Sequence, residues 1–263
     1  MAVSSERTHL GNGGDRMLLE VSGVRKAFGG LHALQGVDVT VAEGQVVGLI
    51  GPNGSGKSTL FDIITGFQRR DAGEITYLGE HIERLRPDEI ARRGLVRTFQ
   101  MSEGGLRLTA IENLMAAVPG QREHRLLAAA MRLPATMRAE RANLRRAREI
   151  IALLGLTAVA DEYVGNLSGG QKKLLDLGRI LMAQPQLSLL DEPTAGVNPT
   201  LIPVIIDTLR RMNQEHGISL LIVEHNMQVV QEFCGHVYVL DTGRLICEGT
   251  PEAVHADARV LDS

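Results

Sequence analysis

Apolar residues change their spacing several times along the chain, and each change marks an element. Val37, Val39 and Val41 alternate with Asp38, Thr40 and Ala42, the period-two pattern of a half-exposed strand. Glu43-Gly44 turns the chain, and Val46–Ile50 is then apolar throughout, as a strand covered on both faces must be. A glycine-rich loop leads into a helical stretch from Ser58 toward Gly66. Ile75–Ile82, broken at Gly79, predicts a short hairpin, and Leu95–Phe99 another short strand. From about residue 108 to 182 the pattern is mostly helical, with Leu144, Ala147, Ile151 and Leu154 on one face. Leu187–Leu190 and Ile218–Val223 read as two further buried strands, separated by a helix over Ile202–Met212 that carries Pro203 in its first turn. His236–Leu240 and Arg244–Cys247 flank Asp241-Thr242-Gly243 as a hairpin. Thr250-Pro251-Glu252 opens a last helix, with a capping hydroxyl, proline at the first position and an acid near the positive end.

Buried strands alternating with helices predict an α/β fold, a parallel sheet with helices on both faces. The helix-only stretch, about 101–182, is an insertion into it. Residues 1–16 are polar and rich in Gly and Ser, so a flexible tail is expected there, with one domain over 17–263.

Composition narrows the function little. The chain has 263 residues, 44% hydrophobic and 22% charged, ordinary for a globular protein. A net charge of -3 argues against a general polyanion binder. Cys234 and Cys247 lack metal-ligand spacing and read as bystander thiols in a reducing compartment. No apolar run approaches the roughly 18–20 residues that span a bilayer, so a cytoplasmic protein that meets a membrane through partners is expected.

The chemistry begins at Gly51-Pro52-Asn53-Gly54-Ser55-Gly56-Lys57-Ser58, which matches G-x-x-x-x-G-K-[ST] between a buried strand and a helix. Glycines let successive N–H groups turn inward around phosphates, and the helix end adds partial positive charge. Lys57 is placed to reach the β- and γ-phosphates, Ser58 to coordinate Mg²⁺, and Thr59 to bond the α-phosphate. Leu187–Leu190 ends in Asp191 and Glu192. Strand carboxyl ends face the ligand crevice of such sheets. Asp191 is thus the candidate for holding Mg²⁺ through water, and Glu192 for polarising the attacking water.

Leu167-Ser168-Gly169-Gly170-Gln171 is more specific. It caps a helix, and its free N–H groups also make a second phosphate site. One phosphate loop but two phosphate-gripping helix ends suggest a head-to-tail pair, with ATP between the loop of one subunit and this motif of the other.

These motifs, in this order over about 18–263, resemble the ATP-binding cassette family. The resemblance implies a P-loop core with an antiparallel β subdomain and an inserted helical subdomain. It implies ATP and Mg²⁺ as ligands, and ATP hydrolysis coupled to transport. Partners would be a second ATPase subunit and two permeases, at the cytoplasmic face of the membrane, and no nucleic acid. It further implies that Phe28 stacks on adenine, that Gln100 contacts Mg²⁺ and the attacking water, that His225 binds the γ-phosphate, and that the loop of Asn198 crosses the dimer interface. Phe28-Gly29-Gly30-Leu31, Thr65-Gly66-Phe67, Val96–Gln100 and Ala195-Gly196-Val197-Asn198-Pro199 are similar to branched-chain amino-acid importer ATPases, which adds an extracytoplasmic binding protein to the expected partners. Asn226 departs from that branch toward the ATPases of lipopolysaccharide exporters, the alternative reading. The arginines at 132, 138, 141, 145, 146 and 148 form a basic run, read as a solvated helix face or a surface for lipid headgroups or a membrane partner.

Overall fold

A computed structural model describes residues 16–98, 103–119 and 134–257. Two sheets organise it. The first is antiparallel, with order β2-β1-β4-β5, where β1 is Met17–Phe28, β2 Leu31–Ala42, β4 Ala72–Tyr77 and β5 Glu80–His81. The second has order β10-β9-β3-β8-β7-β6. Its strands are β3 (Val46–Ile50), β6 (Leu95–Arg97), β7 (Leu187–Asp191), β8 (Ser219–Val223), β9 (His236–Asp241) and β10 (Arg244–Gly249). Every neighbouring pair in it is parallel except β9 and β10, which form the predicted hairpin.

The all-apolar strands have the expected cause. Val46 and Ile50 point into one core while Val47 and Leu49 point into the other. In β8, Leu220 and Ile222 divide from Leu221 and Val223 in the same way. A period of two with both faces covered leaves no polar position in either strand centre. One core lies between this sheet and the antiparallel sheet with α1 (Lys57–Ile64). The other lies under the helices.

Those helices are α2 (Pro87–Arg92), α3 (Glu103–Leu106), α4 (Ala110–Ala116), α5 (Pro134–Leu153), α6 (Gly169–Ala183), α7 (Ile202–Gln214), α8 (Met227–Phe233) and α9 (Pro251–His255). Ala147, Ile151 and Leu154 are buried on the predicted face, and Leu144 is half-buried at its edge. The region read as mostly helix is interrupted by 3-10 turns at Thr157–Val159 and Val164–Asn166. Thr250 caps α9 by accepting from the Ala253 N–H, with Pro251 behind it as expected.

One sequence expectation needs adjustment, and one strand had no expectation at all. The strand read over Leu95–Phe99 ends at Arg97, with Phe99 outside the described residues. The long strand β1 has no clean alternation in sequence, because register shifts between Val21 and Val24 and again to Arg25 break its period.

Candidate active site

The phosphate loop joins β3 to α1. Gly56 sits at φ 109°, and a Cβ there would lie 2.5 Å from the Ala33 carbonyl oxygen, so no other residue fits the turn. The Gly243 N–H donates to the Ser55 carbonyl, and Gly243 in turn accepts from Gln35 N–H, each within 2.9 Å. The β9–β10 turn and β2 therefore brace the loop from behind. Among the described residues no side chain caps α1, which leaves its first N–H groups to an anion. Asn53, Gly54 and Ser58 are exposed, whereas Ser55 and Lys57 are buried, and Gly51, Pro52 and Thr59 are half-buried. Lys57 Nζ donates to the carbonyls of Gly51 and Pro52, both at 2.8 Å. Burial lowers its pKa, while the Glu192 and Asp191 carboxylates pull the other way.

Asp191 and Glu192 stand at the carboxyl end of β7, beside that loop. With Ser58, Arg97, Lys173 and Asp176 they line a cleft of about 540 Å³. Asp191 Oδ2 accepts from Arg97 Nη2 at 2.9 Å, and its N–H donates to Thr98 Oγ1 at 3.2 Å. Arg97 also pairs with Asp62 on α1, and its guanidinium lies 5.4 Å from the centre of the Phe61 ring. One planar fork thus links the phosphate-loop helix to the end of β7. Glu192 has a left-handed φ of 48°, and its N–H is held by the Val223 carbonyl at 2.9 Å. Glu192 Oε1 lies 2.6 Å from His225 Nε2. The structure therefore brings Lys57, Ser58, Asp191, Glu192 and His225 to one place.

Sequence reasoning overlooked several residues here. Glu224 is 3% exposed. Its Oε1 accepts from the Thr194 N–H at 3.0 Å and hydroxyl at 2.6 Å, and its Oε2 from the N–H groups of His225 at 3.1 Å and Asn226 at 3.4 Å. It fastens the loop after Glu192 to the loop of His225. The signal was present, since an acid at the end of a fully buried strand requires partners. Arg97 and Lys173 carried no comparable signal, because their partners come from elements distant in sequence, and Asp176 pairs with Arg179 one turn along its own helix, a common pattern that marks no site. Burial pushes the Asp176 carboxyl up to about 6, against the opposing pull of Arg179 and Lys173.

At the second helix end neither Ser168 nor Gly169 lines the cleft, although Lys173 and Asp176, further along the same helix, do. Leu167 is buried as an anchor, and Ser168 and Gly169 are exposed. Ser168 Oγ accepts from the Gln171 N–H and Gln171 Oε1 accepts from the Ser168 N–H, a full capping box. A Cβ on Gly169 would meet nothing within 4 Å, whereas one on Gly170 would lie 2.4 Å from Leu201 Cδ1. The two glycines therefore differ: Gly170 allows α6 to pack against the segment of Asn198, and Gly169 alone borders open space.

Phe28 is 47% exposed, with Lys26 Nζ 5.3 Å from its ring centre, so it is not a core phenylalanine. Asn198 Oδ1 accepts from both the N–H and the hydroxyl of Thr200, at 3.0 Å each, closing the turn that follows. Asn226 Oδ1 accepts from the Gln228 N–H at 3.0 Å and caps α8. Asp and Asn cap equally well, so this departure says nothing about branch. In the basic run, the arginines at 138, 141, 145 and 148 are exposed on α5, while Arg146 Nη2 donates to the Leu181 carbonyl. Gln100 and Arg132 lie outside the described residues.

The donor set fits Mg²⁺ with a nucleotide. The Ser58 hydroxyl and the Asp191 carboxylate are hard oxygens on one cleft. Mg²⁺ in phosphoryl-transfer sites takes one or two protein oxygens, with phosphates and waters completing its shell. Among the described residues no cluster of three His, Cys, Asp or Glu offers a dedicated cage instead.

The ABC transporter family matches residues 34–195. The chain is 38% identical over 246 residues to the high-affinity branched-chain amino acid transport ATP-binding protein BraF of Pseudomonas aeruginosa, covering 94% of this chain and 96% of that one. It is 34% identical over 244 residues to LivG of Escherichia coli, of the same description, covering 93% and 96%. The ADP conformation of the ATP-binding cassette MJ1267 superposes with a TM-score of 0.79 at 34% identity, covering 94% and 97%. A dimeric post-hydrolysis state of the cassette MJ0796 bound to ADP and phosphate gives 0.73 at 26%, covering 89% and 99%. With its phosphate loop, strand-end carboxylates and signature helix in one fold, the chain belongs to the ABC transporter family as an ATP-binding cassette ATPase.

Proposed function

We propose that the chain hydrolyses ATP as one half of a head-to-tail pair and drives uptake of branched-chain amino acids or chemically related amino acids and amides. The observation that carries the pairing is the exposed cap of α6, whose Ser168 and Gly169 are not part of the lining around Asp191 and Glu192. Ser58, Asp191 and Glu192 line one cleft, His225 bonds to Glu192, and Lys57 feels both carboxylates, while the capping residues Ser168 and Gly169 are exposed and do not line that cleft. A partner's phosphate is the ligand left for them.

In this reading Phe28 stacks on the adenine, and the amides of Gly51–Thr59 and Lys57 hold the phosphates. Asn198 lies at the subunit interface. Ser58 and Asp191, with Gln100, hold Mg²⁺, which when bound neutralises phosphate charge. Glu192 accepts the proton of the attacking water, and His225, 2.6 Å from its carboxylate, aims it and reaches toward the γ-phosphate. Glu192→Gln keeps the shape and removes the base. It should bind ATP normally and hydrolyse it roughly 10²–10⁴-fold more slowly, and turnover within a few-fold of the unaltered chain refutes the assignment. Ser168→Arg should spare ATP binding and abolish hydrolysis by the assembled pair.

The substrate class follows from the named relatives, together with the importer-like sequence stretches at Phe28–Leu31, Thr65–Phe67, Val96–Gln100 and Ala195–Pro199. The capping role of Asn226 removes the one residue that pointed to lipid export. Among the described residues no helix is long and apolar enough to cross a membrane. As a subunit of a transporter, in this reading the chain works at the cytoplasmic membrane face through two permeases, with a binding protein delivering solute. In liposomes, loaded binding protein should stimulate the ATPase, because it favours the closed pair. Stimulation by lipopolysaccharide instead, with no response to any amino-acid or amide receptor, overturns the importer reading.

A further inference from the structure

Two lysines stand near the start of α6, at Lys172 and Lys173. Cations there oppose the positive end of the helix dipole, so each needs a tertiary partner to offset that repulsion. Lys172 Nζ donates to the Gly165 carbonyl at 3.1 Å, closing the turn just before the helix. Lys173 reaches much further along the chain. Its Nζ donates to the backbone carbonyl of Glu192 at 2.9 Å, in a cleft that also holds the carboxylates of Asp176, Asp191 and Glu192. With three acids at hand, its hydrogen bond goes to a peptide oxygen.

That peptide belongs to a residue under strain. Glu192 is one of four non-glycine residues with positive φ among those described, at 48°. A left-handed conformation persists in a side-chain-bearing residue when its surroundings over-determine it. The surroundings here are specific. The Glu192 N–H is bound to Val223, its carboxylate meets His225, and its carbonyl accepts from Lys173 and, at 3.2 Å, from the Ala195 N–H. The Ala195 bond is internal to the turn. The Lys173 bond is the one that ties the peptide to another element. One turn earlier on the same helix, Gly170 packs against Val197 and Leu201, beyond that same turn. The first turns of α6 are thus seated on the Glu192–Leu201 segment at two points.

We propose that Lys173 is a positioning residue for the catalytic base: by holding the Glu192 carbonyl from the signature helix, it keeps Glu192 in the left-handed conformation that directs its carboxylate to His225 and the attacking water. The proposal rests on Glu192 acting as base. A guanidinium can make the same bond, and a methionine of similar length cannot.

The test is ATP hydrolysis by the full-length chain as Lys173→Met and Lys173→Arg, each also measured in the Glu192→Gln background. A hydrogen bond from a charged donor supports roughly a tenfold effect. Lys173→Met should therefore lower kcat about tenfold with KM for ATP and the melting temperature nearly unchanged, and Lys173→Arg should restore most of kcat. In the Glu192→Gln background Lys173→Met should add no further loss, because its effect passes through that residue. Unchanged kcat in Lys173→Met overturns the proposal. So does a loss that persists in full beside Glu192→Gln, or one that follows a fall in melting temperature and is not rescued by arginine. If Glu192→Gln alone retains turnover, the base assignment fails and the proposal with it, an outcome separate from the other three.

Discussion

Glu224 offers the sharpest test of how the site is held together. It is 3% exposed and accepts four hydrogen bonds, two from Thr194 and one each from the His225 and Asn226 N–H groups. Glu224→Ala leaves those donors facing a cavity. The Thr194 hydroxyl can rotate toward another acceptor, and the 3.4 Å bond to Asn226 is long, so neither adds much. The two backbone donors at Thr194 and His225 cannot move without moving the loops. An orphaned buried donor costs about 1–3 kcal/mol, and the lost side-chain volume adds to it, for a total of about 3–5 kcal/mol. Against a typical stability of about 5–15 kcal/mol, the variant still folds. Glu224→Gln keeps one acceptor oxygen and turns an amide toward the remaining donors, for roughly half that loss. Urea unfolding gives the stabilities, and the midpoint should move without a change in slope. Because Thr194 follows Glu192 by two residues and His225 follows Glu224 directly, kcat should fall about tenfold or more while ATP affinity holds. A Glu224→Ala protein within 1 kcal/mol of the unaltered chain, or one with full kcat, refutes the brace.

Three further substitutions probe separate links. Gly170→Ala places a Cβ 2.4 Å from Leu201 Cδ1, so it should cost roughly 1–3 kcal/mol in thermal unfolding, and adding Leu201→Ala should recover most of that loss. Arg97→Met removes the fork between Asp62 and Asp191; because those carboxylates are 44% and 29% exposed, the expected loss in urea is about 1–3 kcal/mol, and Arg97→Lys should not restore it. Asp176 titrates near 6 in the folded chain against 3.8 ordinarily. Its pKa is raised, so the stability linked to its neutral form is complete below pH 4 and lost as pH rises through about 6, a difference of at most about 3 kcal/mol. Asp176→Asn should accordingly gain stability over the unaltered chain at pH 8 and lose that advantage by pH 4, and a pH-independent difference would refute the burial argument.

Local pattern alone determined much of this protein. Val46–Ile50 and Leu220–Val223 had to be buried on both faces because no polar residue interrupts them, and the hairpin around Asp241-Thr242-Gly243 follows from its turn residues. The phosphate loop, the acids after β7 and the Leu167–Gln171 motif were legible because each needs particular residues at fixed, short spacing. Other features appeared only in three dimensions. Strand order β10-β9-β3-β8-β7-β6 depends on crossovers between distant segments. The tie from Glu224 to Thr194, the Arg97 fork between Asp62 and Asp191, and the bond from Lys173 to Glu192 join residues 19 to 94 positions apart. The unlike duties of Gly169 and Gly170, adjacent and identical in sequence, differ through what lies opposite each of them. Hydrophobic periodicity and turn chemistry are properties of neighbouring residues, so a linear reading captures them. Hydrogen bonds and van der Waals contacts act over a few ångströms of space whatever the chain separation, and the fold alone decides which side chains come that close.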